Sequence, residues 1–348
     1  LITMVLMPMV SLAYYTQMAN GIMWTFDVKD GKEMIVEGEN GSSIPRGTLG
    51  DIVIPETLAG CPVTSIESYA FHGCQALTSV TIPESVTHIK SWAFMYCTGL
   101  TSVMIPSSVT EIWDSAFRDC CSLESVTIPR GVTYIGNGAF MGCSCLESVT
   151  FLAREAKVWY SAFDGCNRLK AVHIEDLTAW CGIQFLEPYA NPLRYAHKLF
   201  VNGSEVIDLR IPDGVESIGF SAFYGCNGLK TVMIPPSVTN IESGAFAYCS
   251  NLESVHVPDL SAWCRIVFEN TDANPLEYAH KLFVDESEIA ELRIPDGVTS
   301  LNSYAFFGCD GLTSLTLPES VKSIGADAFA GCTKLAKVRF PSGMEVTR

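Results

Sequence analysis

Apolar and polar positions alternate along this chain in a pattern that repeats every 23 residues. In the stretch from Leu77 to Gly99, the inward-facing set is Leu77, Val80, Ile82, Val86, Ile89, Ala93, Phe94 and Cys97. Aligning the Ala-Phe dipeptides shows the period. Phe71, Phe94, Phe117, Phe140 and Phe163 follow at intervals of 23, as do Phe223 and Phe246, and Phe306 and Phe329. Three residues after each stands a cysteine: Cys74, Cys97, Cys120, Cys143, Cys166, Cys226, Cys249, Cys309 and Cys332. A fixed period of this length marks a solenoid, in which each unit buries its apolar face only by stacking on its neighbours.

Within a unit, Val80 and Ile82 flank Thr81 with the two-residue period of a strand that has one buried face. Pro83 lacks the N–H that a ladder needs and ends the strand. Val86 and Ile89 turn back inward. Ala93, Phe94 and Cys97, at i, i+1 and i+4, fit one face of a single helical turn. Twelve such strands can be counted, starting at Leu49 and ending with the one at Leu335.

The consensus Leu-x-x-Val-x-Ile-Pro-x-Ser-Val-x-x-Ile-x-x-x-Ala-Phe-x-x-Cys resembles the BspA-type leucine-rich repeat over residues 49–340. The resemblance implies a right-handed β/α coil. Its parallel sheet would line the concave face, with short helical turns on the other side. It also implies a secreted or surface-exposed protein that binds host or matrix proteins and has no active site to carry over.

Residues 1–13 are apolar and uncharged and end in small residues. They are too short to span a bilayer and read as the remnant of a signal peptide, which would export the mature chain without a membrane span; an apolar N-terminal strand or helix is the alternative. Residues 14–48 read as a capping hairpin and connection, because Asp30-Gly31 lies between alternating apolar residues. The solenoid itself is assigned to 49–340 and a short tail to 341–348, unless the chain is one part of a longer array. Two turns, 169–205 and 252–288, advance by 37 residues rather than 23. Asp176-Leu-Thr-Ala-Trp-Cys181 recurs as Asp259-Leu-Ser-Ala-Trp-Cys264, and Tyr195-Ala-His-Lys-Leu-Phe-Val201 as Tyr278-Ala-His-Lys-Leu-Phe-Val284, so an 83-residue block is duplicated. Short helices are expected at residues 177–181 and 260–264, and a hairpin at Asn202-Gly203.

A net charge of −16 excludes a nucleic-acid partner, which needs a basic footprint, and disfavours anionic lipid. Of 14 cysteines, nine occupy the inward repeat position, where Cys serves as a small buried residue. None forms a Cys-x-x-Cys pair, which argues against zinc, and no cofactor motif is present. The six histidines offer no shared metal site; His173 and His256 lie three turns apart. Cys181 or Cys264 with His197 or His280 gives the one nucleophilic pairing to weigh. Both copies carry it at the same spacing, as a structural motif would.

Outward strand positions are the candidate binding surface. Serine and threonine dominate them, and the exceptions are Met104, His173, Asp208, Arg210, Met233, His256, Glu291 and Arg293. The face reads as smooth and free of aromatic anchors. The expected function is therefore non-enzymatic protein binding or adhesion, with a protein or other surface macromolecule as partner. A passive envelope spacer and a Cys/His hydrolase are the alternatives.

Overall fold

The computed structural model describes residues 3–4, 15–29, 32–36 and 42–341. Apart from Thr3–Met4, the expected leader lies outside them. Backbone contacts divide the chain into two compact units. One runs to Glu175 and includes Ile183–Ala196; the other comprises Asp176–Gly182 and the chain from His197 onward. Each is a stack of coils.

In the first unit, Gly50–Val53, Leu77–Thr81 and Ser102–Met104 pair in parallel, as do Ser125–Ile128, Ser148–Phe151 and Ala171–Ile174. The register advances by 23, so Val80 faces Val103 and Val126 faces Val149, all buried. A second, narrower parallel sheet forms where Val86 and Ile89 were expected only to turn inward. Cys61–Ile66 leads into two-residue strands at His88–Ile89, Glu111–Ile112, Tyr134–Ile135, Lys157–Val158 and Gln184–Phe185. Val158 holds the buried position of its coil.

The Ala-Phe-x-x-Cys segment is not a helical turn. Around Phe94, bonds run from Ala93 N–H to Lys90 C=O, Met95 N–H to Trp92 C=O and Cys97 N–H to Phe94 C=O. These are successive i to i+3 turns, and Trp92 and Tyr96 have φ of 60° and 61°. Left-handed backbone at a non-glycine residue costs about 1–2 kcal/mol. It is held because it aims alternate peptide groups along the stack. Trp92, Phe94 and Tyr96 N–H donate to Asp114, Ala116 and Arg118 C=O at 3.0, 2.7 and 2.9 Å. Ser115, Phe117 and Asp119 do the same toward Asn137, Ala139 and Met141. Every one of these peptide groups points its N–H at the next coil.

Under this ladder the phenylalanines form a column. Ring centroids from Phe71 through Phe94, Phe117 and Phe140 to Phe163 are 4.8, 5.0, 5.3 and 5.3 Å apart, with planes within 10° of parallel. Beside it, six of the nine ladder thiols donate to the Phe carbonyl of the preceding coil, among them Cys97 to Phe71 at 3.0 Å, and Cys120 to Phe94 and Cys143 to Phe117 at 3.2 Å. An apolar residue of the same size would leave that second lone pair empty. Eight of the nine ladder cysteines are buried and Cys332 is half-buried.

At the leading coil, residues outside the repeat supply the missing partners. Trp24, fully buried, meets Phe71 edge-on at 6.2 Å. Ser43 N–H donates to Ala70 C=O, and Ser42 Oγ lies 3.1 Å from Cys74 Sγ. Trp24 belongs to an antiparallel hairpin, Ile22–Lys29 with Lys32–Ile35, whose second strand extends the narrow sheet beside Cys61–Ile66.

The column makes the core sensitive to ring removal and to alkali. Phe117→Ala removes a ring stacked on both sides, and urea unfolding is expected to show a loss of about 3–5 kcal/mol; a loss below about 1 kcal/mol would contradict the packing. Toward high pH the thiols matter. Burial pushes those of Cys166, Cys226 and Cys309 up to about 12. Their folded pKa lies above the unfolded value, so the stability they contribute is full below pH ~9 and is lost as pH rises toward ~12. Each thiol adds a slope of about 1.4 kcal/mol per pH unit in that window, and a melting temperature flat between pH 9 and 11 would contradict it.

Candidate binding face

Strand alternation in the second unit sends Leu209, Val232, Val255 and Leu282 inward, all buried. Two outward rows result. In one, Asp208, Thr231 and Ser254 stand side by side, and Thr231 Oγ1 donates to Asp208 Oδ1 at 2.8 Å. In the other, Arg210, Met233, His256, Phe283 and Glu288 succeed one another strand by strand. Arg210 Nη1 lies 3.6 Å from Met233 Sδ. His256 stacks on Phe283 with centroids 4.7 Å apart and planes at 14°, and its Nε2 is 2.9 Å from Ser254 Oγ. Beyond the row, Met233, His256, Val257, Pro258, Phe283, Asp285 and Glu286 line a shallow depression of about 280 Å³.

Of the residues singled out from sequence, four thus fall together: Asp208, Arg210, Met233 and His256. Glu291 and Arg293 lie on a separate three-stranded sheet, opposite Ser314 and Thr316, and both are exposed. Met104 and His173 belong to the first unit. Met104, 66% exposed, stands beside Thr81, and half-buried His173 beside Thr150. In the first unit, hydroxyls of Leu77–Thr81 bond to an aspartate of the strand before it. Ser79 and Thr78 both donate to Asp51 at 2.7 Å and hold its carboxyl below the usual range.

Phe283 was missed by the sequence reading, which expected no aromatic on this face. It comes from the 37-residue insert rather than from a Leu-x-x-Val-x-Ile strand. The insert strand Leu282–Val284 takes the place of a repeat strand and turns its middle residue outward. A two-strand hairpin follows in both copies. Phe200 pairs Glu205 and Phe283 pairs Glu288, before the next repeat strands at Asp208–Arg210 and Glu291–Arg293.

A second aromatic group, also missed, lies on the first unit's narrow-sheet side. Tyr69 stacks on Trp92 at 5.0 Å, and Tyr134 lies between Trp113 and Trp159 at 5.9 and 6.0 Å. Lys90 and Lys157 sit over Trp113 and Trp159 at 4.2 and 4.9 Å. The rings face one another and their own chain's ammonium groups, so their faces are largely spent within the unit. These residues occupy variable positions of the repeat, so periodicity gives no sign of them.

The inserts explain the duplicated motifs. Helices form at Leu177–Cys181 and Leu260–Trp263, close to expectation, each capped by an aspartate side chain. Short turns at Pro188–Ala190, Leu193–Ala196, Thr271–Ala273 and Leu276–Ala279 accompany them. An insert has no Ala-Phe ladder, and its side chains replace one. Facing the preceding coil, the Glu187 carboxylate, Tyr189 C=O and Tyr195 hydroxyl accept from Ser161, Phe163 and Gly165 N–H. In the second copy Asn270 Oδ1 and Asp272 C=O accept from Gly244 and Phe246. Facing the next coil, the Trp180 and Trp263 indoles donate to Ala222 and Ala305 C=O, both at 2.9 Å. His197 and His280 Nδ1 meet Gly225 and Gly308 C=O at 2.9 and 3.0 Å.

This assigns the histidines that were paired with Cys181 and Cys264 to backbone carbonyls. Burial pushes both thiols up to about 12, the opposite of an activated nucleophile. The Cys/His arrangement is structural. Among the described residues no group of three or more His, Cys, Asp or Glu could hold a metal, and no helix is long and apolar enough to cross a membrane.

Tyr195 tests the adaptor role. Its hydroxyl donates to Asp164 Oδ1 at 2.6 Å while accepting from Gly165 N–H, and burial, together with that aspartate, raises its pKa. Tyr195→Phe is expected to cost about 1–3 kcal/mol in urea unfolding and to speed exchange of the Gly165 amide. Unchanged stability and exchange would remove the adaptor account.

The profile described as BspA type Leucine rich repeat region matches in six copies over residues 48–179, 195–274 and 277–348. A leucine-rich repeat protein of Bacteroides ovatus is 24% identical, over 92% of this chain and 94% of its own, with a TM-score of 0.37. A leucine rich cell surface protein of Faecalibacterium prausnitzii is 23% identical over 94% and 95%, with a TM-score of 0.35. The pneumococcal vaccine antigen PcpA is 18% identical over 93% and 86%, with a TM-score of 0.44. No curated protein matches. With the profile covering well over half of its length, the chain belongs to the BspA-type leucine-rich repeat family.

Proposed function

We propose that the chain is a non-enzymatic, secreted or surface-exposed protein that binds other proteins, in adhesion, through the outward face of its strands. Family membership supports protein–protein interaction in general. The observation that carries the reading is the row Arg210, Met233, His256, Phe283 and Glu288. It sets a cation, a thioether, two stacked rings and an anion on one rigid sheet. Interfaces draw their energy from such aromatic and arginine anchors rather than from hydroxyl ladders.

The test is surface-plasmon binding to a panel of matrix and host-surface proteins. Saturable binding is expected, weakened at least tenfold by the combined variant Met233→Ala, His256→Ala and Phe283→Ala at unchanged melting temperature. Absence of saturable binding to any member, or indifference to the variant, would contradict the reading.

The small serine and threonine side chains that dominate the first unit's outward strand positions favour a second reading, a passive spacer. Under it, replacing Asp208, Arg210, Glu291 and Arg293 together leaves every interaction unchanged.

A further inference from the structure

We propose that the depression beside Phe283 receives an arginine or lysine side chain from a basic segment of the protein partner. The inference rests on the binding role above and names the chemistry it recognises.

The depression, at about 280 Å³, is a little smaller than an ordinary ligand cleft, a size for one long side chain. It is lined by the stacked His256–Phe283 pair and by Met233. An aliphatic stem can lie along that surface while its charged head reaches the rim. The rim carries Asp285 and Glu286, both exposed. Among the described residues neither carboxylate has a hydrogen-bond or ion-pair partner. An anionic side chain would be repelled there, and a neutral one would strip water from two carboxylates without compensation. A guanidinium satisfies both demands, since it stacks on aromatic faces and pairs with carboxylates through a planar fork.

The duplicated block supplies an internal comparison. Asp285-Glu286 occupies the hairpin turn filled in the first copy by Asn202-Gly203. Both turns have positive φ at both residues: 49° and 81° in the first copy, 46° and 63° in the second. Asn-Gly meets that geometry at little cost, whereas glutamate at the second position is strained. The turn therefore does not require the two acids. Polarity along the row agrees: Arg210, at Met233, disfavours a cation at that end and biases it toward Asp285 and Glu286.

The decisive experiment is fluorescence anisotropy of labelled hexa-arginine, hexa-lysine and hexa-glutamate peptides with the full chain at about 0.15 M salt, where screening confines charge effects to about 8 Å. One variant, Asp285→Asn with Glu286→Gly, rebuilds the first copy's turn and should fold at least as well as the parent. A control, Asp213→Asn with Asp296→Asn, removes the same charge from two exposed turns. The expectation is that the basic peptides bind, hexa-arginine more tightly, and hexa-glutamate does not. The turn variant weakens the basic peptides at least fivefold and the control less than twofold. Equal weakening by both variants would assign the binding to the general −16 field and overturn the site; so would no binding of either basic peptide. A protein partner whose binding depends on Met233 and His256 but not on the turn variant would overturn this inference alone. Indifference of that partner to Met233 and His256 as well would overturn the strand-face reading with it.

Discussion

The fold depends on one arrangement: left-handed residues two before and two after each repeat phenylalanine aim three peptide N–H groups at the next coil. In a parallel β-ladder, donors alternate between neighbours. Here all three point the same way, which aligns their dipoles and lets each bond polarise the next. The arrangement also explains why the stack has a direction. A coil offers bare carbonyls on its leading side and bare N–H groups on its trailing side, so anything entering the stack must supply the complementary set. Ser42 and Ser43 do so ahead of the first coil.

The 37-residue inserts meet the same demand with side chains. Trp180 and Trp263 stand in for a ladder N–H, and Glu187, Asn270 and Tyr195 for a ladder C=O. Because the replacement is made by indole, carboxylate, amide, phenol and imidazole, the insert backbone is free to take another path. It uses that freedom to add a short hairpin carrying Phe283 to the strand face. The aromatic surface and the irregularity of the repeat are therefore linked. The regular coils present mostly serine and threonine, and the irregular coil brings the aromatic surface.

The sequence makes the wide sheet, its register and the buried column plain, because each rests on residues repeated at every turn. Phe and Cys stand at one offset nine times, and the structure stacks the first along the axis and bonds the second to it. What a helical reading of Ala-Phe-x-x-Cys lacks is backbone sign. Trp92 and Tyr96 give no hint of positive φ, although glycine at the equivalent Gly138 and Gly142 does. On the strand face, Arg210, Met233 and His256 were visible as departures from Ser and Thr. Phe283 was not, since nothing in the insert's composition says that its strand joins the sheet. The rings around Trp113 and Trp159 were hidden for a similar reason, as they sit where the repeat specifies nothing.

Amide hydrogen exchange at Trp92, Phe94 and Tyr96 tests the directional ladder most directly. All three should exchange as slowly as Val103 in the adjoining strand, even though Trp92 and Tyr96 carry exposed side chains and left-handed backbone. Protection of Phe94 alone, with Trp92 and Tyr96 exchanging at the rate of an open loop, would show that the coils are joined by packing rather than by these bonds.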